Sequence, residues 1–167
     1  TSAMASNKDY VFAGFNPGKL YRSTNNGDNW SYPANNGLTT NDVQNIIATD
    51  SKLFVGTSSG VFYSSDNGDN WRNTGFNNFV LDLTYNGSFL FALVNGPWPH
   101  YSRIYRSSDN GLNWITVYDA EPEHWLRSIT SSGNNIFTGG QDNILYSSNN
   151  GSNWETINSG YPPLQPL

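Results

Sequence analysis

Short apolar runs recur along the whole chain, separated by clusters of Asn, Gly, Ser and Asp. One set comprises Tyr10-Val11-Phe12-Ala13-Gly14, Leu53-Phe54-Val55-Gly56, Phe89-Leu90-Phe91-Ala92 and Ile136-Phe137-Thr138-Gly139. A second set follows each of these: Leu20-Tyr21-Arg22, Val61-Phe62-Tyr63, Ile104-Tyr105-Arg106 and Ile144-Leu145-Tyr146. Runs this short, rich in β-branched and aromatic residues and bounded by turn formers, predict strands. Three further runs, Val43 to Ala48, Val80 to Leu83 and Leu126 to Ile129, precede the later units and predict another strand in each. No window sustains an apolar period of 3.6, so almost no helix is expected.

After each second run comes the same eight-residue stretch. The copies are Ser23-Thr24-Asn25-Asn26-Gly27-Asp28-Asn29-Trp30, Ser64-Ser65-Asp66-Asn67-Gly68-Asp69-Asn70-Trp71, Ser107-Ser108-Asp109-Asn110-Gly111-Leu112-Asn113-Trp114 and Ser147-Ser148-Asn149-Asn150-Gly151-Ser152-Asn153-Trp154. Each reads as a tight hairpin. The glycine supplies a positive φ, and the Ser and the Asp or Asn two residues later can accept hydrogen bonds from turn N–H groups. The Trp opens the returning strand and folds over the turn, burying a large apolar surface. Asn25 and Asn149 keep an acceptor oxygen but lose the charge of Asp66 and Asp109, which predicts weaker turns in the first and last copies.

The stretches start 41, 43 and 40 residues apart, the signature of a repeat architecture. Each unit holds four antiparallel strands, the content of one propeller blade. An isolated blade cannot bury both faces, so blades must stack. Counting from Ser147 through the C-terminus and on from Thr1 to Ser23 gives 43, another repeat length. Thr1 to Ser6 therefore falls where the inner strand of the first unit belongs, unless it is a cloning remnant.

The pattern Ser-x-Asp-x-Gly-x-x-Trp resembles the Asp-box, or bacterial neuraminidase repeat, of sialidase-like β-propellers. The resemblance implies an all-β fold of four four-stranded antiparallel blades, each carrying one such hairpin. As a single domain over residues 1–167, the blades would span about 1–36, 37–77, 78–120 and 121–160, with 161–167 as a connecting segment. The box residues are then structural: Ser23, Asn25, Gly27 and Trp30; Ser64, Asp66, Gly68 and Trp71; Ser107, Asp109, Gly111 and Trp114; and Ser147, Asn149, Gly151 and Trp154. Three arrangements are open: a closed four-blade ring, a homodimer completing an eight-bladed ring, and part of a larger propeller. We favour the homodimer.

Composition narrows the partners. Charged residues make up 13% of the chain, against roughly 25% in an average domain, while 25 residues are Asn. A net charge of −5 argues against nucleic acid, whose phosphates need clustered Lys and Arg. No apolar run approaches the roughly 18 residues of a membrane span, so no membrane insertion is expected. The absence of Cys excludes disulfides and thiol chemistry. No cofactor or metal is expected, because His100 and His124 match no ligand spacing. The resemblance points to an extracellular or cell-surface protein, although the sequence shows no signal peptide.

Candidate chemistry concentrates in two loops. Residues 95–103 insert extra length between the strands of the third unit, and residues 118–125 lead into the fourth. In propellers of this kind both loops share the face opposite the boxes. Trp98, His100, Tyr101, Arg103, His124, Trp125 and Arg127 form a candidate ligand-binding set. Its aromatic rings would stack on a sugar, and its polar groups would bind hydroxyls. The implied function is non-catalytic recognition of a glycan or protein.

The alternative is a glycoside hydrolase, sialidase-like or xyloglucanase-like, complete only as an oligomer or within a longer chain. Asp119, Glu121 and Glu123 are its weak candidates for acid and base. The sialidase version lacks support, since that family uses three arginines and an Arg-Ile-Pro signature. Here Arg103-Ile104 continues with Tyr105, and Arg22, Arg106 and Arg72 sit beside boxes.

Overall fold

The computed structural model describes residues 3–15, 17, 19–40, 42–96, 101–120, 125–140 and 144–157. Among them there is no helix. The strands form four separate antiparallel sheets in chain order. The first holds β1 (Ala3–Ser6), β2 (Val11–Phe15) and β3 (Lys19–Ser23); the second holds β4 (Asn45–Ala48), β5 (Leu53–Thr57), β6 (Gly60–Ser64) and β7 (Arg72–Asn73). The third holds β8 (Val80–Tyr85), β9 (Leu90–Asn95), β10 (Ser102–Ser107) and β11 (Ile115–Asp119). The fourth holds β12 (Leu126–Ser132), β13 (Asn135–Gly140), β14 (Ile144–Ser147) and β15 (Glu155–Ile157). Strand order within each sheet follows the sequence, as in a meander, and the innermost strands β1, β4, β8 and β12 contact one another in that order. These are four blades of a β-propeller.

Blade 1 departs from the expected four strands. Its fourth position shrinks to one bridge, Arg22 to Ser31. Pro33, two residues on, has no N–H to continue the ladder. The chain instead leaves for the neighbouring blade: Asn36 N–H donates to the Asp69 carbonyl (3.0 Å), and Trp71 N–H donates to the Asn36 carbonyl (2.7 Å). Ala3–Ser6 pairs along β2, filling the inner position that the repeat length predicts.

The period-two alternation of each strand gives every sheet two apolar faces, and the blades stack through them. Phe12 and Leu20 of blade 1 pack on Val43, Ile46, Leu53, Val55, Phe62 and Trp71 of blade 2. Phe54 and Val61 of blade 2 meet Leu83, Leu90 and Ala92 of blade 3, and Phe91, Leu93 and Ile104 of blade 3 meet Leu126, Ile129 and Leu145 of blade 4. Four blades thus enclose three cores. Among the described residues, no core joins blade 4 to blade 1, and over these residues the blades form an open arc. Gly14 belongs to the first contact for lack of space: a Cβ there would lie 2.6 Å from Cγ1 of Val43.

The box geometry repeats four times. Each Ser Oγ accepts from the box glycine N–H, at 2.9, 2.9, 2.8 and 2.8 Å for Ser23, Ser64, Ser107 and Ser147. The oxygen of Asn25, Asp66, Asp109 or Asn149 accepts the Ser hydroxyl and the N–H four residues on. The Asn boxes therefore keep the turn. What they lose is the second carboxylate oxygen, which in Asp66 and Asp109 accepts the side chain of Asn70 (2.8 Å) and Asn113 (2.6 Å). The indoles of Trp71, Trp114 and Trp154 donate back to the carbonyls of Gly68, Gly111 and Gly151. Burying such a ring contributes about 3 kcal/mol.

Candidate functional site

Strand direction places the boxes at one end of every blade and the β9–β10 and β11–β12 connections at the other. Two polar residues, buried Ser102 and half-buried Asn95, hold the feet of these connections together. Ser102, at the start of β10, donates its hydroxyl to Asn95 at the end of β9 (2.8 Å) and accepts from Leu126 N–H at the start of β12 (2.9 Å). Its carbonyl accepts from Ala120 N–H (2.9 Å), where β11 ends. The Asn95 side chain reaches the Leu126 carbonyl (3.4 Å). Both ends of each connection are thus tied to one hydroxyl or its immediate neighbours. Gly96 N–H donates to the Tyr101 carbonyl (2.9 Å) and closes the first loop at its neck. The Tyr101 ring lies so close to Gly96 that a Cβ would sit 2.2 Å from it.

On this frame Tyr101, Arg103 and Asp119 come together. Arg103 and Asp119 are directly paired across β10 and β11. The guanidinium Nε donates to the Asp119 carboxylate at 2.8 Å, and the guanidinium carbon stands 4.4 Å from the centre of the Tyr101 ring. The Asp119 hydrogen bond pushes Arg103 above its ordinary pKa and holds it charged. Both members of the ion pair face solvent, so the pair contributes little to stability. It does fix a planar cation against a ring.

The other candidates are placed differently. Trp125 stands at the start of β12, its carbonyl against Gly140, where a Cβ would lie 1.5 Å away. Arg127 is exposed beside Ser128, Thr130 and Phe137, on the far face of blade 4. Trp98, His100, Glu121, Glu123 and His124 lie outside the described residues. Among the described residues, no group of three His, Cys, Asp or Glu side chains could hold a metal ion.

Two acidic residues carry structural roles that residue type and spacing did not single out. Asp82, on β8, accepts from the Asn45 side chain of blade 2 and from the Ile129 N–H of blade 4 (2.8 Å), tying three inner strands. Burial pushes its pKa up, and the N–H groups of Ile129 and Leu83 only partly oppose this. Its sequence signal was a lone acid inside the apolar run Val80 to Leu83. Asp42 is buried at the loop end of blade 2. Burial would raise its pKa, but hydrogen bonds from Gln44, Ser58 and Thr40 together lower it.

Four stacked meander blades, each clamped by the same hairpin, define a β-propeller domain. The sequence profile of the DUF6242 beta propeller domain matches residues 2–96, more than half of the chain, and the chain belongs to that family. No curated protein matches the sequence.

Solved structures share the fold at low identity. An ancestral GH74 enzyme superposes with a TM-score of 0.76 at 21% identity, over 96% of this chain and 24% of its own. The extracellular domain of the one-component system BT4673 from B. thetaiotaomicron gives 0.74 at 17% identity, over 99% of this chain and 23% of its own. The computationally designed Ika8 protein gives 0.67 at 11% identity, over 91% of this chain and 46% of its own. The chain therefore spans about a quarter of the first two structures and under half of the third.

Proposed function

We propose that this chain is an Asp-box propeller of the sialidase-like kind, serving as a non-catalytic recognition module outside the cell or at its surface. It binds a glycan or protein through the β9–β10 and β11–β12 loops, with Trp98, Tyr101, Arg103 and Trp125 as the principal contacts. The observation that carries this reading is the Ser102 junction, which draws the feet of the two aromatic-rich loops together over one rigid blade pair. A fixed frame lowers the ordering cost of binding, and loops on such a frame are where recognition residues concentrate. One similar solved structure, an extracellular domain, supports the setting outside the cell.

A hydrolase needs an acid and a base at a set separation. Asp119 is engaged by Arg103, which suits it to holding a recognition group rather than to exchanging a proton. A glycan array run beside a chromogenic glycosidase panel tests the reading. We expect saturable binding without turnover, lost when Trp98 and Trp125 are both changed to Ala while the melting temperature is kept. Turnover that disappears with Glu121→Gln or Glu123→Gln would instead make the protein a hydrolase.

A further inference from the structure

Among the described residues, the stacking scheme is used three times and leaves two half-interfaces without a partner. Strand register defines equivalent positions on the face each blade turns to the one before it. In blade 2 these are Ile46, Val55, Phe62 and Trp71; in blade 3 they are Leu83, Ala92, Tyr105 and Trp114. Both sets pack against the preceding blade. The blade 1 equivalents are Met4, Ala13, Tyr21 and Trp30. They line an open apolar groove of about 610 Å³. Met4 is 59% exposed and Trp30 41%, whereas Ile46, Leu83 and Trp71 are buried.

The opposite face repeats the pattern. Phe12, Gly14 and Leu20, then Phe54, Gly56 and Val61, then Phe91, Leu93 and Ile104 receive the next blade, and their apolar side chains are fully buried. In blade 4 the equivalents are Phe137, Gly139 and Ile144. These are only half-buried and line a second open hollow.

The two open halves match an interface the molecule already makes. Of the four positions named, blade 1 has Ala13, Tyr21 and Trp30 where blade 3 has Ala92, Tyr105 and Trp114, with Met4 for Leu83. Of four strand positions on the other face, blade 4 has Phe137, Gly139 and Tyr146 where blade 2 has Phe54, Gly56 and Tyr63, with Ile144 for Val61. Blade 2 stacks on blade 3. At these positions blade 4 and blade 1 therefore match the two sides of that contact, to which blade 2 adds Phe76 against Tyr105 and Trp114. The residue before each box alternates as well: Arg22, Tyr63, Arg106, Tyr146. Arg22 and Arg106 each donate to a carbonyl of the following box, Asn67 (2.8 Å) and Asn150 (2.6 Å). A junction from blade 4 to another blade 1 continues this Arg–Tyr order.

We propose that a second copy of this chain occupies both open faces, blade 4 of each protomer stacking on blade 1 of the other. Two identical head-to-tail contacts close the arc under two-fold symmetry, leaving no open face. The inference does not depend on what the loops bind.

Sedimentation equilibrium and light scattering test it on the chain as it stands, with Met4→Glu and Ile144→Glu as variants. The wild type is expected at the mass of two chains. Each variant alone is expected at the mass of one, because each spoils both contacts of the ring. An equimolar mixture of the variants is expected to recover a two-chain species. Met4→Glu keeps an intact blade 4 face and Ile144→Glu an intact blade 1 face, so one contact forms. A merely misfolded variant would give no such recovery. A wild type at one-chain mass, variants that stay dimeric, or a mixture without recovery each overturns the proposal.

Discussion

At the scale of single residues, the carboxylates of Asp66 and Asp109 separate two kinds of box. Hydrogen bonds from the Asn113 backbone and side chain and from Ser107 lower Asp109 from 3.8 to about 2. Asp66 is also lowered: burial would raise it, but Asn70 and Ser64 donate to it and prevail. A carboxyl whose folded pKa is depressed contributes stability above its unfolded value and loses it as the pH falls through the folded one. The contribution of Asp109 is therefore complete above about 3.8 and fades towards about 2. Asn25 and Asn149 have no such dependence. Changing Asp66 and Asp109 together to Asn should lower the melting temperature at neutral pH, and the wild-type and variant curves should converge near pH 2. Thermal melts across that range check it; a gap of constant size would contradict it. The position after these residues is Asn in all four copies. Asn26, Asn67, Asn110 and Asn150 each adopt a positive φ between 55° and 61°. That identity was visible in the sequence, but its cause, a left-handed residue directly before the box glycine, became evident only from the backbone.

At the scale of elements, the Ser102 junction links the end of β9, the end of β11 and the start of β12. Ser102→Ala leaves the buried Leu126 N–H without an acceptor and should cost about 1–3 kcal/mol. Chemical denaturation measures that cost. A loss of stability under half a kilocalorie would show the junction to be dispensable. The strands were legible because each pairs an apolar run with a box at fixed distance, and even β1 followed from the repeat length. The outer strand expected in blade 1 does not form. Pro33 ends it locally, and its backbone groups pair instead with a box 35 residues further on, which no local pattern encodes. The candidate site was legible in part. Arg103 and Asp119 meet because they are cross-strand partners, whereas Arg127 follows a bulge at Leu126/Ser128 onto the far face of blade 4. A bulge changes which face a residue takes, and residue type does not announce it.

At the scale of the molecule, one clamped hairpin repeated four times sets the pitch of the sheets, and three apolar cores hold the blades in an arc. Asp82 adds a polar tie through the inner strands of blades 2, 3 and 4. The measurement that bears most directly on this account is amide hydrogen exchange followed by residue-resolved NMR. The N–H groups of Gly27, Gly68, Gly111 and Gly151 all donate to a serine hydroxyl in a closed turn. All four should exchange slowly, together with the central strands of their blades. Fast exchange at these glycines within otherwise protected sheets would contradict the claim that the repeated turn organises the fold.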